Sequence, residues 1–528
     1  MPLEMVDDPQ DQQDNSSESS NDNSGGRDSG GGGGLNIGGG GILSFLPIIF
    51  SLFRGGKGMI WILLLLGGGY FLFKSNACSS VSGAVSNFTK GGKLDPNEFK
   101  KASVYEGLED DNAKNPLPEM VSLARYAPAR QNQGSQGSCV AWSSGYAART
   151  IIESASTLQD PNAIAFSPAF LYNQIGLDGC QGSYIIRAME FMTNKGMVPN
   201  NSFPYNPDDC SRQPNPQLWN FAAQNKMHGF NRLTEDDGVS KLSFRAIKEH
   251  LAKDAPVVIG MMVGGSFMQD MMGQKVWHPT SDDYDQVGFG GHAMCVIGYD
   301  DRVEGGAFQI MNSWGPEWGV NGLAYVRYDD FTKFVREAYG VDPMPKRGAA
   351  LNVDFECNIN LVNGETKQYI PLKSGNGNTF ATVTPVKKGT TFKIEIKNAV
   401  ECYIYLFTPT AAGSSFVLFP YKPIHSPYCG ITGVRLFPKK QSIRADEVGN
   451  KDFMGVVVSK QALDYNALNT AINNSKQSTF SAKLNEVISS ASIKNVKYNN
   501  TSNGGIYFKA DANEQNKIVG CIVEINKQ

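Results

Sequence analysis

The stretch Asn132-Gln133-Gly134-Ser135-Gln136-Gly137-Ser138-Cys139-Val140-Ala141-Trp142 decides the reading of this chain. Val140, Ala147, Ala148, Ile151 and Ile152 recur at helical spacing after the cysteine, so Gly137-Ser138-Cys139 sets a thiol at a helix N-terminus. Free backbone N–H groups and the helix dipole favour negative charge there. A cysteine is a nucleophile only as its thiolate, which makes that position chemically meaningful. Gln133 and the backbone N–H of Cys139 are the expected donors to a developing oxyanion, worth ~3–4 kcal/mol each in comparable sites.

Two downstream blocks supply the remaining parts. His292, in Gly291-His292-Ala293, opens the apolar run Ala293-Met294-Cys295-Val296-Ile297 and can project from the edge of a strand. A histidine across a cleft from the cysteine can take its proton and later protonate a leaving amine. Asn312, in Asn312-Ser313-Trp314-Gly315, can accept from the second ring nitrogen and fix the tautomer. Trp314 is placed to cover that hydrogen bond from water. Cysteine, histidine and asparagine in this order are the parts of thiolate-based acyl transfer.

These blocks, with Gly179-Cys180-Gln181-Gly182, Phe203-Pro204-Tyr205 and Asn312 to Gly319, resemble the papain-like cysteine peptidases over about Leu117 to Pro345. The resemblance implies a two-lobed α+β fold and peptide-bond hydrolysis through an acyl-enzyme. It assigns Cys139, His292, Asn312 and Gln133 as catalytic residues and places Gly182, Ser183 and Trp314 at the substrate groove. The wording of the cysteine block is closer to bacterial members. Departures are present: Gln136 stands where a cysteine is usual, Val140 replaces a tryptophan, Gly291 replaces Asp or Asn, and Ser183 replaces a glycine. The disulfide that usually braces the nucleophile loop is therefore impossible, and Cys180 and Cys210 are left able to pair with each other in an oxidising compartment. Val81 to Glu119 shows no long charged helical pattern, so no full-length inhibitory propeptide is expected.

Composition narrows the alternatives. A net charge of −3 over 528 residues, without clustered Lys and Arg among aromatics, excludes a nucleic-acid surface. Nine scattered cysteines with no C-x-x-C pair, five histidines and no His-Glu-x-x-His predict no metal and no cofactor. Taken alone, Cys139 is as ordinary as any buried thiol, and Asn312 reads as a turn residue. Trp314 and Trp318 fit packing as well as substrate contact. His278 and His425 have no evident partners and are expected at the surface. Cys295 is expected to pack in a strand. Cys357, Cys402, Cys429 and Cys521 are either core residues or two disulfides.

Outward from the catalytic block the chain divides into five parts. Residues 1–41 are Asp-, Asn-, Ser- and Gly-rich and are expected as a disordered tail. Residues 42–74 form the expected membrane-anchor region. Ile42 to Phe53 is broken by Pro47, while Met59 to Phe73, between Lys57 and Lys74, carries Trp61 and Tyr70 near its ends. That second run is shorter than the ~20 residues of a comfortable span and contains Gly67-Gly68-Gly69. The expected arrangement is a single pass at 59–73, with the tail cytoplasmic and the catalytic domain extracytoplasmic. Residues 75–116 are expected as a linker. The domain 117–345 is expected to be helical first and strand-rich later, with a cleft between its lobes. Residues 351–528 carry many short β-patterned segments and one helical stretch, about Ala462 to Ser489, and predict a β-sandwich-like accessory domain.

The functional expectation is a membrane-tethered cysteine endopeptidase acting on a peptide or protein substrate. Two alternatives share the fold: a catalytically silent peptide-binding scaffold, and a thiol enzyme that passes the acyl group to an amine.

Overall fold

The structure is a computed structural model that describes residues 3–8, 89–346, 354–410, 412–511 and 517–528. The expected membrane-anchor region at 42–74 lies outside the described residues. Among the described residues no helix is long and apolar enough to cross a membrane.

The catalytic domain is built as its patterning predicts. A helical stretch runs from Cys139 to Thr157, widening over Trp142–Arg149, and its apolar face is wholly buried. Pro168–Ile175 and Ile185–Asn194 pack beside it. Ser167 caps the first of these by accepting from the Phe170 N–H, with Pro168 at the first helical position. The second lobe is an antiparallel sheet ordered Phe230–Arg232, Val335–Val341, Val257–Val263, Gly290–Asp300, Ala307–Met311 and Leu323–Arg327. The long central strand Gly290–Asp300 is buried from His292 onwards, so it is a rigid edge for the residue that opens it. Cys295 packs within that strand, as expected.

The C-terminal domain is a sandwich of two sheets. One is led by Phe355–Asn363 and Thr391–Asn398, the other by Cys402–Pro409, Lys451–Ser459 and Ile518–Asn526. A shared apolar core lies between them, with Ile359, Ile394, Leu406, Val456 and Val523 at its centre. Cys357, Cys402, Cys429 and Cys521 are buried thiols there, not disulfides. The expected single helix at Ala462–Ser489 is two, Tyr465–Asn474 and Phe480–Ile488. Thr479 accepts from the Ala482 N–H and restarts the second. Their apolar faces cover the outer side of the second sheet.

Three expectations are corrected. Residues 89–116, expected as linker, are an integral strap: Phe99, Ala102, Val104, Tyr105 and Leu108 are buried, and Phe99 packs against the Tyr339 ring at 5.0 Å. His425, expected at the surface, is largely buried between two carboxylates, 2.8 Å from Asp237 and 3.6 Å from Glu106. His278 does sit exposed, 2.8 Å from Glu304.

The third correction is at the N-terminus. Glu4–Asp7 is a strand, paired antiparallel with Gln441–Arg444 in the register Val6↔Ser442. Leu3 is 2 % exposed within the sandwich core, and Asp8 accepts from Lys393 Nζ at 2.6 Å. The alternation Leu3, Met5 against Glu4 presents one apolar face, which six residues can bury on a ready-made sheet edge.

Replacing Val6 and Ser442 together by cysteine in the full chain should give a reducible cross-link within one chain on oxidation. Directly opposed strand residues lie about 4.5–5.5 Å apart, within disulfide reach. A gel-mobility assay showing no cross-link would refute the N-terminal strand.

Candidate active site

Cys139 begins its helix at the floor of the interlobe cleft and is fully buried. The preceding loop is fastened at several points. Gln133 N–H donates to the Ser313 carbonyl at 2.8 Å, and Tyr205 donates to the Gln133 carbonyl at 2.8 Å. Ser138 Oγ lies 2.6 Å from the same tyrosine hydroxyl. Cys180 and Cys210 form a disulfide, and the Cys180 carbonyl accepts from Gly137 N–H at 3.3 Å. Gln136, which stands where a bracing cysteine is usual, donates to the Asn206 carbonyl at 3.3 Å. A hydrogen bond to the 206–210 segment therefore substitutes for a covalent brace.

His292 faces this floor from the sheet lobe. Its Nε2 lies 2.8 Å from Asn312 Oδ1, an oxygen that also accepts the Ser313 N–H at 2.8 Å. With Asn312 Oδ1 committed as acceptor, the ring proton sits on Nε2. Nδ1 has no hydrogen-bond partner. The Cys139 sulfur accepts the N–H of the very next residue, Ala293, at 3.4 Å. Trp314 stacks on the imidazole with ring centroids 4.3 Å apart and shields the His292–Asn312 bond from water. Trp318 is a packing residue, buried against Phe267 and Trp314. Gln133 is wholly buried: its Nε2 donates to the Gln136 carbonyl at 2.9 Å and its Oε1 accepts from Ser313 Oγ at 2.7 Å. All four residues expected to act together are thus gathered at one point.

The cleft is occupied by the chain itself. Thr89 to Lys93 runs along it, between Ser183 on one wall and Gly291 on the other. Ser183 N–H donates to the Gly91 carbonyl at 2.9 Å, and Lys93 N–H donates to the Ser183 carbonyl at 2.9 Å. Gly92 N–H donates to the Gly291 carbonyl at 3.1 Å, and Trp314 Nε1 donates to the Thr89 carbonyl at 3.0 Å. Gly182, Ser183 and Trp314, the expected groove residues, therefore all line the strap. Close backbone approach explains its glycines: a Cβ on Gly91 would lie 2.1 Å from the Gly137 carbonyl oxygen. On the facing wall, a Cβ on Gly182 would lie 2.3 Å from the Gly91 oxygen.

Direction matters chemically. The strap pairs parallel to Ser183 and turns the Gly91 N–H, not a carbonyl carbon, toward the sulfur. Its carbonyls at Thr89 and Gly91 are held by Trp314 and Ser183. The strap thus meets the sulfur with an amide N–H while it fills the cleft.

Burial under the strap also sets protonation. It pushes the Cys139 thiol up to about 11, against the smaller opposing pull of the N–H groups of Ala293, Gly91, Val140 and Cys139. It pushes His292 down to about 4, aided by the positive charge of Lys90, while the bond to Asn312 opposes. Near pH 7 the closed site therefore holds a neutral thiol and a neutral imidazole.

Sequence reasoning missed the strap and Glu337. Glu337 Oε1 accepts the Asp95 N–H at 3.0 Å where the strap leaves the cleft, and burial raises its carboxyl to about 7. The strap's fastenings are almost all backbone, so Lys90-Gly91-Gly92-Lys93 carries no side-chain signature. Among the described residues no group of three or more His, Cys, Asp or Glu could hold a metal ion.

Residues 122–340 match the profile of the papain family cysteine proteases. An uncharacterized peptidase C1-like protein of Acanthamoeba polyphaga mimivirus is 26 % identical over 237 residues, covering 43 % of this chain and 71 % of that one. Cathepsin K of Gallus gallus is 27 % identical, covering 37 % of this chain and 54 % of its own length. Pro-cathepsin H of Mus musculus is 28 % identical, covering 36 % and 54 %. The chain thus spans about half the length of these two cathepsins. Among solved structures, xylellain, a cysteine protease from Xylella fastidiosa, aligns with a TM-score of 0.40 at 20 % identity over 49 % of this chain and 97 % of that one. The segment 122–340 belongs to the papain family of cysteine proteases.

Opening the cleft should reverse the protonation state. In the full chain, Gly91→Val expels the strap by steric clash, and its ultraviolet thiolate absorbance, taken as a difference from the same variant carrying Cys139→Ala, should be present at neutral pH. The wild type should show that absorbance only as pH rises toward about 11, where the buried thiol finally ionises. Identical titrations for the two proteins would contradict burial as the cause.

Proposed function

We propose that the protein is a cysteine endopeptidase that hydrolyses peptide bonds through a thioester acyl-enzyme, and that the form described above is its closed state. The observation that carries this reading is the His292–Asn312 bond of 2.8 Å, which leaves Nδ1 without a hydrogen-bond partner while the N–H of the adjacent Ala293 lies 3.4 Å from the Cys139 sulfur.

The chemistry follows from these groups. With the strap withdrawn, Nδ1 takes the Cys139 proton, and the thiolate–imidazolium pair is stabilised by the helix N-terminus. A peptide bound to Ser183 antiparallel, opposite in direction to the strap, presents a carbonyl carbon to the sulfur. The sulfur attacks, and the oxyanion is received by Cys139 N–H and Gln133 Nε2, each worth ~3–4 kcal/mol in comparable sites. The tetrahedral adduct collapses with cleavage of the C–N bond, and His292 hands its proton to the departing amine. Water, deprotonated by His292, then cleaves the thioester, releasing the acid and restoring the thiol. Asn312 and Trp314 act through His292, one fixing its tautomer and the other excluding water from that bond.

The tether belongs to the same proposal and rests on the apolar runs Ile42–Phe53 and Met59–Phe73 alone. The span is read as the single pass at 59–73. Substrates are unstructured segments of peptides or proteins, since the groove is bounded by backbone and accepts an extended chain.

Gly91→Val should cleave unfolded casein, and adding Cys139→Ala or His292→Ala should abolish cleavage. Gln133→Ala in the same background should lower kcat by about 10²–10³-fold. Products carrying an added amine nucleophile would instead favour acyl transfer, and a Gly91→Val protein that binds casein without cutting it would favour the silent scaffold.

A further inference from the structure

The strap does not end where it leaves the cleft. After the short helix Pro96–Phe99 it continues between the two domains as far as Asn115, and both grip it. On the catalytic side, Tyr105 N–H donates to the Arg232 carbonyl at 3.1 Å, and Arg232 N–H donates to Ser103 at 2.8 Å. Glu249 accepts from the Tyr105 hydroxyl and the Leu108 N–H. On the C-terminal side, Val104 N–H donates to the Ile424 carbonyl at 2.7 Å, and Ser426 N–H returns a bond to Val104 at 3.1 Å. Asn115 pairs its amide with both backbone groups of Val434 at 2.9 Å, and Glu109 N–H also donates to that carbonyl at 2.8 Å. Fully buried Arg435 donates to the Glu106 carbonyl at 2.9 Å, and Lys114 pairs with Glu395.

The cleft half of the strap, by contrast, is lightly held. Gly91 and Gly92 have no side chains to anchor; the run from Thr89 to Lys93 is secured by three backbone–backbone bonds, the Trp314 Nε1 bond to the Thr89 carbonyl, and two longer bonds from Lys90 Nζ to the Gly288 and Val263 carbonyls at 3.2 and 3.5 Å. The two halves are joined by a short connector, the helix Pro96–Phe99, which is pinned by the Asp95 N–H bond to Glu337 and by buried Phe99, Ala102 and Val104, so movement of the distal half is passed on to the glycines over Cys139. A displacement of the C-terminal face by an ångström or two would break bonds that need donor–acceptor distances near 3 Å.

We propose that the C-terminal domain is the clamp of the closed state: the face formed by Ile424–Ser426, Glu395 and Val434–Arg435 holds the strap in the cleft, and loosening that face opens the active site without any cut in the chain. The proposal rests on the peptidase reading above and adds its control. It also gives the C-terminal sandwich a role that needs no catalytic group of its own. A cut in the strap near Lys93 would leave residues 94–116 wedged between the domains, so opening and cutting are separable events.

The test uses the full chain and a dipeptidyl epoxide that alkylates the thiolate at Cys139. The strap-side double variant Lys114→Ala with Asn115→Ala lies far along the chain from the cleft and touches none of the reacting groups. It should be labelled about tenfold faster than wild type, as expected when two anchoring contacts are removed from a closed state. That gain should vanish when His292→Ala is added, which separates an opened site from an unfolded one. Glu395→Gln should give a smaller gain in the same direction. Gly91→Val serves as the opened reference. Fast labelling of Gly91→Val with the double variant at the wild-type rate would overturn the clamp and leave the peptidase reading intact. A gain that survives His292→Ala would overturn it as simple unfolding. No labelling in any variant would remove the peptidase reading and the clamp together.

Discussion

Removal of one sulfur from water governs this active site. Gly91 and Gly92 lie over Cys139 and His292 at backbone contact distance, and desolvation drives the two groups apart in the direction that keeps both neutral. Burial makes the charged pair on the order of 6 kcal/mol costlier to form in the closed cleft than between the free side chains, before their mutual attraction is counted. The strap's few backbone hydrogen bonds, at about 1 kcal/mol net each, are of comparable total size. Closure is therefore an electrostatic lock as well as a steric one, and the two parts are balanced closely enough that modest changes elsewhere can shift it.

Legibility in the sequence followed the range of the interactions. The helix that opens at Cys139, the strand that opens at His292 and the Asn312-Ser313-Trp314 turn each depend on local pattern, and each lies where its residues predict. The strap did not announce itself because glycine carries no amphipathic signature and its partners, Ser183 and Gly291, are contacted through backbone atoms ninety and two hundred residues away in round terms. Glu4–Asp7 was hidden for a related reason: a strand of four residues is stable only on a pre-formed edge, and that edge, Gln441–Arg444, comes from the far end of the chain. The break between Tyr465–Asn474 and Phe480–Ile488 was visible in principle, since Ser475 and Thr479 bracket it and Thr479 is a good N-cap.

The interface between the domains shows how buried polar groups are satisfied when no local pattern prepares them. Arg435 spends its guanidinium on the Glu106 and Ile431 carbonyls and Asn398 Oδ1, so that a full charge is buried among hydrogen-bond acceptors. His425 sits between Asp237 of the catalytic domain and Glu106 of the strap. His228, raised by its bond to Glu401, makes a second link across the same boundary. Reading His425 as a surface residue ignores that the boundary exists only after both domains have folded.

These contacts bear on why a catalytic domain of this kind carries a sandwich behind it. A strap fastened only inside the cleft would compete with substrate on equal terms, since both use the same backbone donors of Ser183. Fastening it outside the cleft moves that competition elsewhere: substrate must overcome contacts it never touches, such as Asn115 with Val434 and Val104 with Ile424. A change at the remote face can then release the cleft directly, while substrate must reach a higher concentration to displace the strap. That asymmetry follows from the strap being one continuous ribbon with its weak end over the sulfur and its strong end between the domains.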